Sequence, residues 1–283
     1  MIGFETTMTI TTTTTTTRTT LPDMNPVVES IGKSPFSFTK LDLMNYIYKE
    51  QIRHVNFMYP ASDGRLKTLN FVLHSTDYLN EILTCGERVD GSSLLMGSKD
   101  AGSSDLYVIP RFATAFIDPF ATQYPTVSML CDYFDKDGNA LEACPRHTLR
   151  KACEVLKSTT GGLEFQAMGE LEYYVIGRDD GQRFPANDQH GYHESTPFAK
   201  FGTFRQECLN TIARIGGRIK YGHNEVGTFY LADKVYEQHE IEFLPVPATE
   251  TADQLLLAKW VIRNVAHRHG LDVTFAPKVT TGR

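Results

Sequence analysis

Hydrophobic and polar positions divide the chain into stretches of two periods, one near 3.6 and one of 2. Leu41, Met44, Ile47 and Tyr48 recur at helical spacing behind Thr39, a good acceptor at a helix N-terminus, so residues 37–52 predict a helix. Residues 53–59 and 66–73 flank Ser62-Asp63-Gly64 and predict a hairpin. Further strands are predicted at 105–109, 114–117 and 127–134, the last running into the turn Asp135-Lys136-Asp137-Gly138. These elements make a small mixed sheet with one helix, a first domain over residues 37–143.

Beyond it the two periods alternate. Pro145 opens a helix through Leu156, with Leu149, Ala152 and Leu156 at helical spacing and Gly161-Gly162 behind it. A strand at 163–176, a helix near 199–214 stopped by Gly216-Gly217, strands at 218–226 and 236–244, and a helix at 252–268 complete a second domain over residues 144–283. Thr251 and Gln254 are spaced as a capping box for that last helix, and Gly270 ends it. No repeat of solenoid length is present. The fold class is α+β.

Composition changes this picture at the N-terminus. Residues 6–20 are almost all threonine, broken by Met8, Ile10 and Arg18. Such a run has no core-forming positions, so residues 1–36 are expected to be disordered, with Pro22, Pro26 and Pro35 forming a linker. One arginine is too few for a transit peptide. The net charge of −6 and the lack of a basic cluster argue against a nucleic-acid partner. No apolar run approaches the ~18 residues that span a bilayer, so no membrane partner is expected. Cys85, Cys131, Cys144, Cys153 and Cys208 are odd in number and scattered, which predicts reduced thiols and a cytoplasmic protein.

The candidate chemistry lies in three strands. In Gly169-Glu170-Leu171-Glu172-Tyr173, Glu170 and Glu172 share a face, because side chains alternate along a strand. Tyr221, His223 and Glu225 share one face of the next strand, and Gln238, Glu240 and Glu242 one face of the strand after it. Val226, Ile241 and Phe243 take the opposite, core-facing sides. A sheet with one wet side accounts for any single pair of glutamates. Three such strands within eighty residues instead suggest carboxylates that share a cation, since close like charges repel unless neutralised. Oxygen donors suit Mg²⁺ or Mn²⁺, ions that serve phosphoryl chemistry.

Other motifs are absent or bland. There is no G-x-x-x-x-G-K-[ST] loop, no G-x-G-x-x-G after a strand and no nucleophile elbow. His267 and His269 sit in the last turn of a helix, where positive charge meets the macrodipole. His190 and His193 lie in a polar loop and receive no role. Asp90-Gly91-Ser92-Ser93 by itself is turn chemistry.

Taken in order, these segments resemble the glutamine synthetase family. Asp90-Gly91-Ser92-Ser93, Ser104-Asp105-Leu106-Tyr107-Val108-Ile109-Pro110 and Ile117-Asp118-Pro119-Phe120 are similar to its N-terminal domain. Glu170-Leu171-Glu172 resembles its metal strand, His223-Asn224-Glu225-Val226 its H-x-E-V segment and Gln238-His239-Glu240 its Q-x-E segment. Arg268-His269-Gly270 and Thr274-Phe275-Ala276-Pro277-Lys278 resemble the lead into its glycine-rich loop. The resemblance implies a β-grasp N-terminal domain and a catalytic domain with a curved antiparallel sheet. It implies two divalent cations: one held by Glu172, Glu225 and Glu240 near glutamate and ammonium, the other, near the ATP phosphates, held partly by Glu170. It implies that glutamate is phosphorylated by ATP and then attacked by ammonia. Asp90 would take a proton from ammonium, Ser93 lies in the same loop, and that loop would serve a neighbouring subunit of a homo-oligomer.

Two departures qualify the resemblance. The connection from Gly227 to Glu237 is longer than the family pattern and reads as a hairpin extension. The chain also stops at Arg283, ahead of the family's glycine-rich loop, a histidine ligand, substrate-binding arginines, an acidic flap and a last glutamate. The chain alone is therefore expected to be inactive, with an incomplete second metal site. The alternatives are a γ-glutamyl-amine ligase of the same family and a truncated, non-catalytic relative that assembles with a full-length enzyme.

Overall fold

A computed structural model describes residues 21–94, 105–179, 181 and 184–280; the threonine run and Ser104 lie outside these residues. Helix α1 (Pro26–Ile31) forms inside the segment expected to be a linker. Asn25 explains it: its side chain accepts from Val27 N at 3.0 Å, Pro26 occupies the first helical position, and Gly32 ends the turn at φ 69°. Asn25 Nδ2 also donates to Ala115 O, tying the helix to the sheet behind it. Helix α2 (Lys40–Lys49) begins as expected at Thr39, which shares a capping box with Asp42. Its buried face matches the expected one in part, with Ile47 buried and Met44 half-buried against the core. Leu43, Tyr46 and Ile47 are covered, whereas Leu41 and Tyr48 are exposed.

Strands β1 (His54–Pro60) and β2 (Leu66–Val72) form the expected hairpin. Two elements the pattern did not predict follow, helix α3 (Thr76–Cys85) and strand β3 (Glu87–Asp90). Ser75 caps α3 by accepting from Tyr78 N, and Leu79, Ile82 and Leu83 are its buried stripe. A helical turn, α4 (Gly91–Leu94), then precedes strands β4 (Asp105–Pro110), β5 (Phe116–Ile117) and β6 (Thr126–Phe134). The sheet runs β2-β1-β6-β4-β3 with β5 on β6; β1 and β6 are parallel and the other pairs antiparallel. The sheet is mixed, as expected, but three helices of six residues or more accompany it rather than one.

After helix α5 (Pro145–Thr159) the chain builds strands β7 (Gln166–Ala167) and β8 (Glu170–Arg178), helix α6 (Gly202–Arg214), and strands β9 (Ile219–Leu231), β10 (Lys234–Phe243) and β11 (Val246–Pro247). Helix α7 (Ala248–His269) and strand β12 (Asp272–Thr274) close the described chain. The antiparallel sheet runs β12-β8-β10-β9, with β7 and β11 paired beside it. Ala258, Val261, Ile262 and Val265 of α7 are fully covered against it, together with Phe204 and Ile212 of α6. The predicted strand 163–176 is broken at Gly169, where a Cβ would lie 2.8 Å from Leu255 of α7.

The capping box expected at Thr251 and Gln254 does not form. Helix α7 already starts at Ala248, so both residues are inside it. Thr251 Oγ1 donates to Ala167 O at 2.8 Å, and Gln254 Oε1 accepts from Arg218 N at 2.8 Å. Both therefore tie the helix to the sheet. Gly270 ends α7 at φ 66° as expected. Arg146 of α5 joins the two sheets' surroundings, pairing with Asp253 of α7 at 2.9 Å and Asp132 of β6 at 3.4 Å. Among the described residues no helix is long and apolar enough to cross a membrane.

Candidate carboxylate site

Register brings the predicted glutamates into rows across three strands. Glu172 of β8 faces Glu240 of β10, which faces His223 of β9. In the adjoining row, Glu170 faces Glu242, which faces Tyr221. His223 Nε2 is 3.5 Å from Glu240 Oε2, and its Nδ1 is 3.8 Å from Glu225 Oε1. Gln238, one pair further along, donates from Nε2 to Glu172 Oε2 at 2.5 Å and fixes that carboxylate. Glu170, Glu172, Glu225 and Glu240 thus occupy one face.

Electrostatics ties the four together. Burial pushes the Glu240 carboxyl up from 4.5 to about 7, and repulsion from Glu225, Glu170 and Glu172 adds to it against the pull of His223. Among the described residues, Lys220 beside Glu242 and His223 beside Glu240 offset only part of this negative charge. A bound divalent cation fits that donor set, with carboxylate oxygens in excess and one imidazole.

Three further residues, His223, Glu242 and His193, reach the cluster without having been assigned a ligand role from the sequence. His223, Glu240 and Glu242 each offer a donor atom within 4.8 Å of the others. His193 also arrives, through backbone bonds from Gln189, Gly191 and His193 N to Thr228, Val226 and Asn224 O along the edge of β9. Its ring lies 4.5 Å from that of His223, and Tyr192 stacks on it at 4.1 Å. No spacing in the sequence announces this contact, because a loop makes it.

The alternation expected for β9 fails at Val226, which is exposed rather than buried. Asn224 pairs with His239 and Thr228 with Glu237, so Glu225, Val226 and Gly227 together face Gln238. This irregularity pushes Val226 outward. Ile241 and Phe243 are buried as expected, along with His239 and Glu237 on the same core side. Glu237 accepts from His239 at 2.7 Å and from Lys200 N and Phe201 N, so it serves the fold behind the site.

Asp90 and Ser93 lie apart from this cluster. Asp90 ends β3 at the edge of the first sheet and accepts from Ser92 N, Ser92 Oγ and Ser93 Oγ at 3.0, 2.7 and 2.7 Å. Those hydroxyls, Ser93 first, hold its carboxyl below the usual range, so it is ionised at neutral pH. Among the described residues no hydrogen bond or ion pair joins Asp90 or Ser93 to the glutamates.

Two family models match the chain. The glutamine synthetase β-grasp domain covers residues 51–136, and the glutamine synthetase catalytic domain covers residues 142–283. The chain belongs to the glutamine synthetase family. The glutamine synthetase of Methanocaldococcus jannaschii is 26% identical over 242 residues, which are 83% of this chain and 51% of that protein. The Thermus thermophilus glutamine synthetase is 30% identical over 206 residues, 69% of this chain and 44% of that one. The chain therefore spans about half the length of the curated relatives it matches.

Solved structures agree on the fold. A cryo-electron-microscopy structure of Plasmodium falciparum glutamine synthetase superposes with a TM-score of 0.71 at 19% identity, covering 86% of this chain and 51% of that one. A GmaS–ADP complex gives 0.62 at 18% identity, covering 83% and 51%. The first sheet thus falls in the β-grasp domain of this family, and the second in the family's catalytic domain. The long connection expected as a hairpin extension is one. Leu231 pairs with Lys234 at its tip, and Phe229 stacks on Tyr236 at 4.7 Å.

Proposed function

We propose that this chain carries the carboxylate part of the active site of an ATP-dependent glutamate–ammonia ligase. The observation that carries the reading is the convergence of Glu170, Glu172 and Glu225 around Glu240, on a family member whose curated relatives are named glutamine synthetase. Glu172, Glu225 and Glu240 would hold one divalent cation, Mg²⁺ or Mn²⁺, beside glutamate and ammonium, and Glu170 would help hold a second beside the ATP phosphates. Bound there, such ions neutralise charge on phosphate oxygens during phosphoryl transfer.

In this reading a γ-carboxylate oxygen of glutamate attacks the γ-phosphorus of ATP. An O–P bond forms as the bond to the bridging oxygen breaks, giving γ-glutamyl phosphate and ADP. Ammonia attacks the acyl carbon, and phosphate leaves with the electrons of the C–O bond. Ionised Asp90 attracts ammonium and takes its proton, with Ser93 Oγ holding the carboxylate. A neighbouring subunit of a cytoplasmic homo-oligomer would bring this loop to the glutamates, to which Asp90 makes no hydrogen bond or ion pair among the described residues.

Mn²⁺ titration of this chain tests the cation site. Saturable binding is expected, weakened at least about tenfold in Glu240→Gln because a charged ligand is lost. A chain that binds no Mn²⁺ saturably would sink the reading. In the assembled enzyme, phosphate release should require ATP, glutamate and ammonium together. Release supported by a polyamine and not by ammonium would replace ammonia with another amine as the acceptor.

A further inference from the structure

Lys220 stands where a bulge interrupts β9. Glu242 pairs with Tyr221 and Phe243 with Ile219, so the residue between them has no partner on β10. Under unbroken alternation Lys220 would share the side of Gly222 and buried Asn224 and point into the core. A bulge re-aims a side chain. Here it brings Lys220 Nζ to 2.7 Å from Glu242 Oε2 and 4.8 Å from the centre of the Tyr221 ring. The Tyr221 hydroxyl donates to Glu242 Oε1, so both oxygens of that nearly buried carboxylate are engaged. The same carboxylate is one of the three groups, with His223 and Glu240, whose donor atoms are spaced for an ion, and it faces Glu170 on the other side.

We propose that Lys220 is a built-in counter-charge that sets the cation affinity of the glutamate cluster, occupying Glu242 and keeping it out of coordination. This inference rests on the cation site proposed above. Two effects act in the same direction. The ammonium offsets part of the negative charge at the Glu170 end of the cluster, and it withholds one carboxylate that would otherwise be a donor. Removing the lysine charge therefore releases a donor and makes the cluster more negative by one charge. Removing both members of the pair restores the original net charge and adds no donor.

The test is the Mn²⁺ dissociation constant, read by electron paramagnetic resonance at low ionic strength, with far-ultraviolet circular dichroism confirming the fold. Lys220→Met should tighten binding about tenfold, from one unit charge a few ångströms from the ion in a partly wet site. The double variant Lys220→Met/Glu242→Gln should return to within about threefold of the unsubstituted chain, because the net charge is restored. A folded Lys220→Met protein that binds no tighter than the unsubstituted chain overturns the proposal. So does a double variant that binds far more weakly than the unsubstituted chain, since Glu242 would then be coordinating already. Lys220→Gln, which keeps a donor for Glu242, carries the test if the methionine variant does not fold. Absence of saturable binding by the unsubstituted chain would instead strike the cation site itself, and this inference with it.

Discussion

Gln238 Nε2 donates to Glu172 Oε2 at 2.5 Å, while Gln238 Oε1 accepts from Gly227 N at 3.1 Å. One amide therefore anchors a site carboxylate to the backbone of the opposite strand. Gln238→Leu keeps the volume and removes both bonds. It should weaken Mn²⁺ binding by about tenfold, the usual cost of losing a group that orients a ligand. Unchanged affinity in a folded variant would mean that Glu172 is held by something other than Gln238.

Glu240 gives a pH dependence with a definite sign. Its folded carboxyl titrates at about 7 against an ordinary 4.5, so the folded chain keeps a proton that the unfolded chain releases. Its contribution to stability is complete below 4.5 and is lost as pH rises to about 7. The metal-free chain should lose melting temperature across that interval relative to Glu240→Gln, which has no such proton. Saturating Mn²⁺ should reverse the slope, because a bound cation favours the ionised form. Parallel curves for the two proteins would show that Glu240 is not the group responsible.

The glutamate faces were legible in the sequence because strand period is 2 and needs only local residue order. Glu170 with Glu172, and Glu240 with Glu242, share faces in the structure as the alternation requires. The same rule failed at Val226 and would fail at Lys220, where β9 leaves its register. A bulge is a property of the strand pair, so one strand's pattern cannot reveal it. Thr251 and Gln254 have cap spacing, yet the competing bonds to Ala167 O and Arg218 N come from distant segments. The buried stripe of α2 was misjudged in part because apolar Leu41 and Tyr48 lie on its outer side. His193 could not be found at all by spacing, since a docked loop carries it to His223.

Arg146 presents a test of the seam between the sheets. Its guanidinium lies 2.9 Å from Asp253 and 3.4 Å from Asp132, and both carboxylates are almost covered. Burial pushes the Asp253 carboxyl upward, and Arg146 and Arg111 pull against it. Arg146→Met strips one partner from two buried charges and should destabilise the chain by about 3 kcal/mol in urea unfolding. Adding Asp253→Asn to that variant should recover part of the loss, because one stranded charge disappears. A single variant as stable as the unsubstituted chain would show that Arg111, 2.7 Å from Asp253, and Arg150, 3.0 Å from Asp132, suffice for both aspartates.

Gly227 links the hairpin extension to the site. A Cβ built on it would lie 2.5 Å from Gln238 Oε1 and closer still to the Tyr174 hydroxyl, so one of these groups must move in Gly227→Ala. Either movement disturbs the amide that holds Glu172. The variant should lose roughly 1–3 kcal/mol of stability, as overpacked positions do. It should also bind Mn²⁺ more weakly, as Gln238→Leu does. Gly64→Ala supplies the contrast, because Gly64 sits at φ 70° in an open turn with nothing near the added methyl. That variant strains the backbone and should lower stability while leaving Mn²⁺ affinity unchanged. If Gly227→Ala behaved like Gly64→Ala, the close approach at Gly227 would be a packing detail, and Gln238 would hold Glu172 independently of the hairpin.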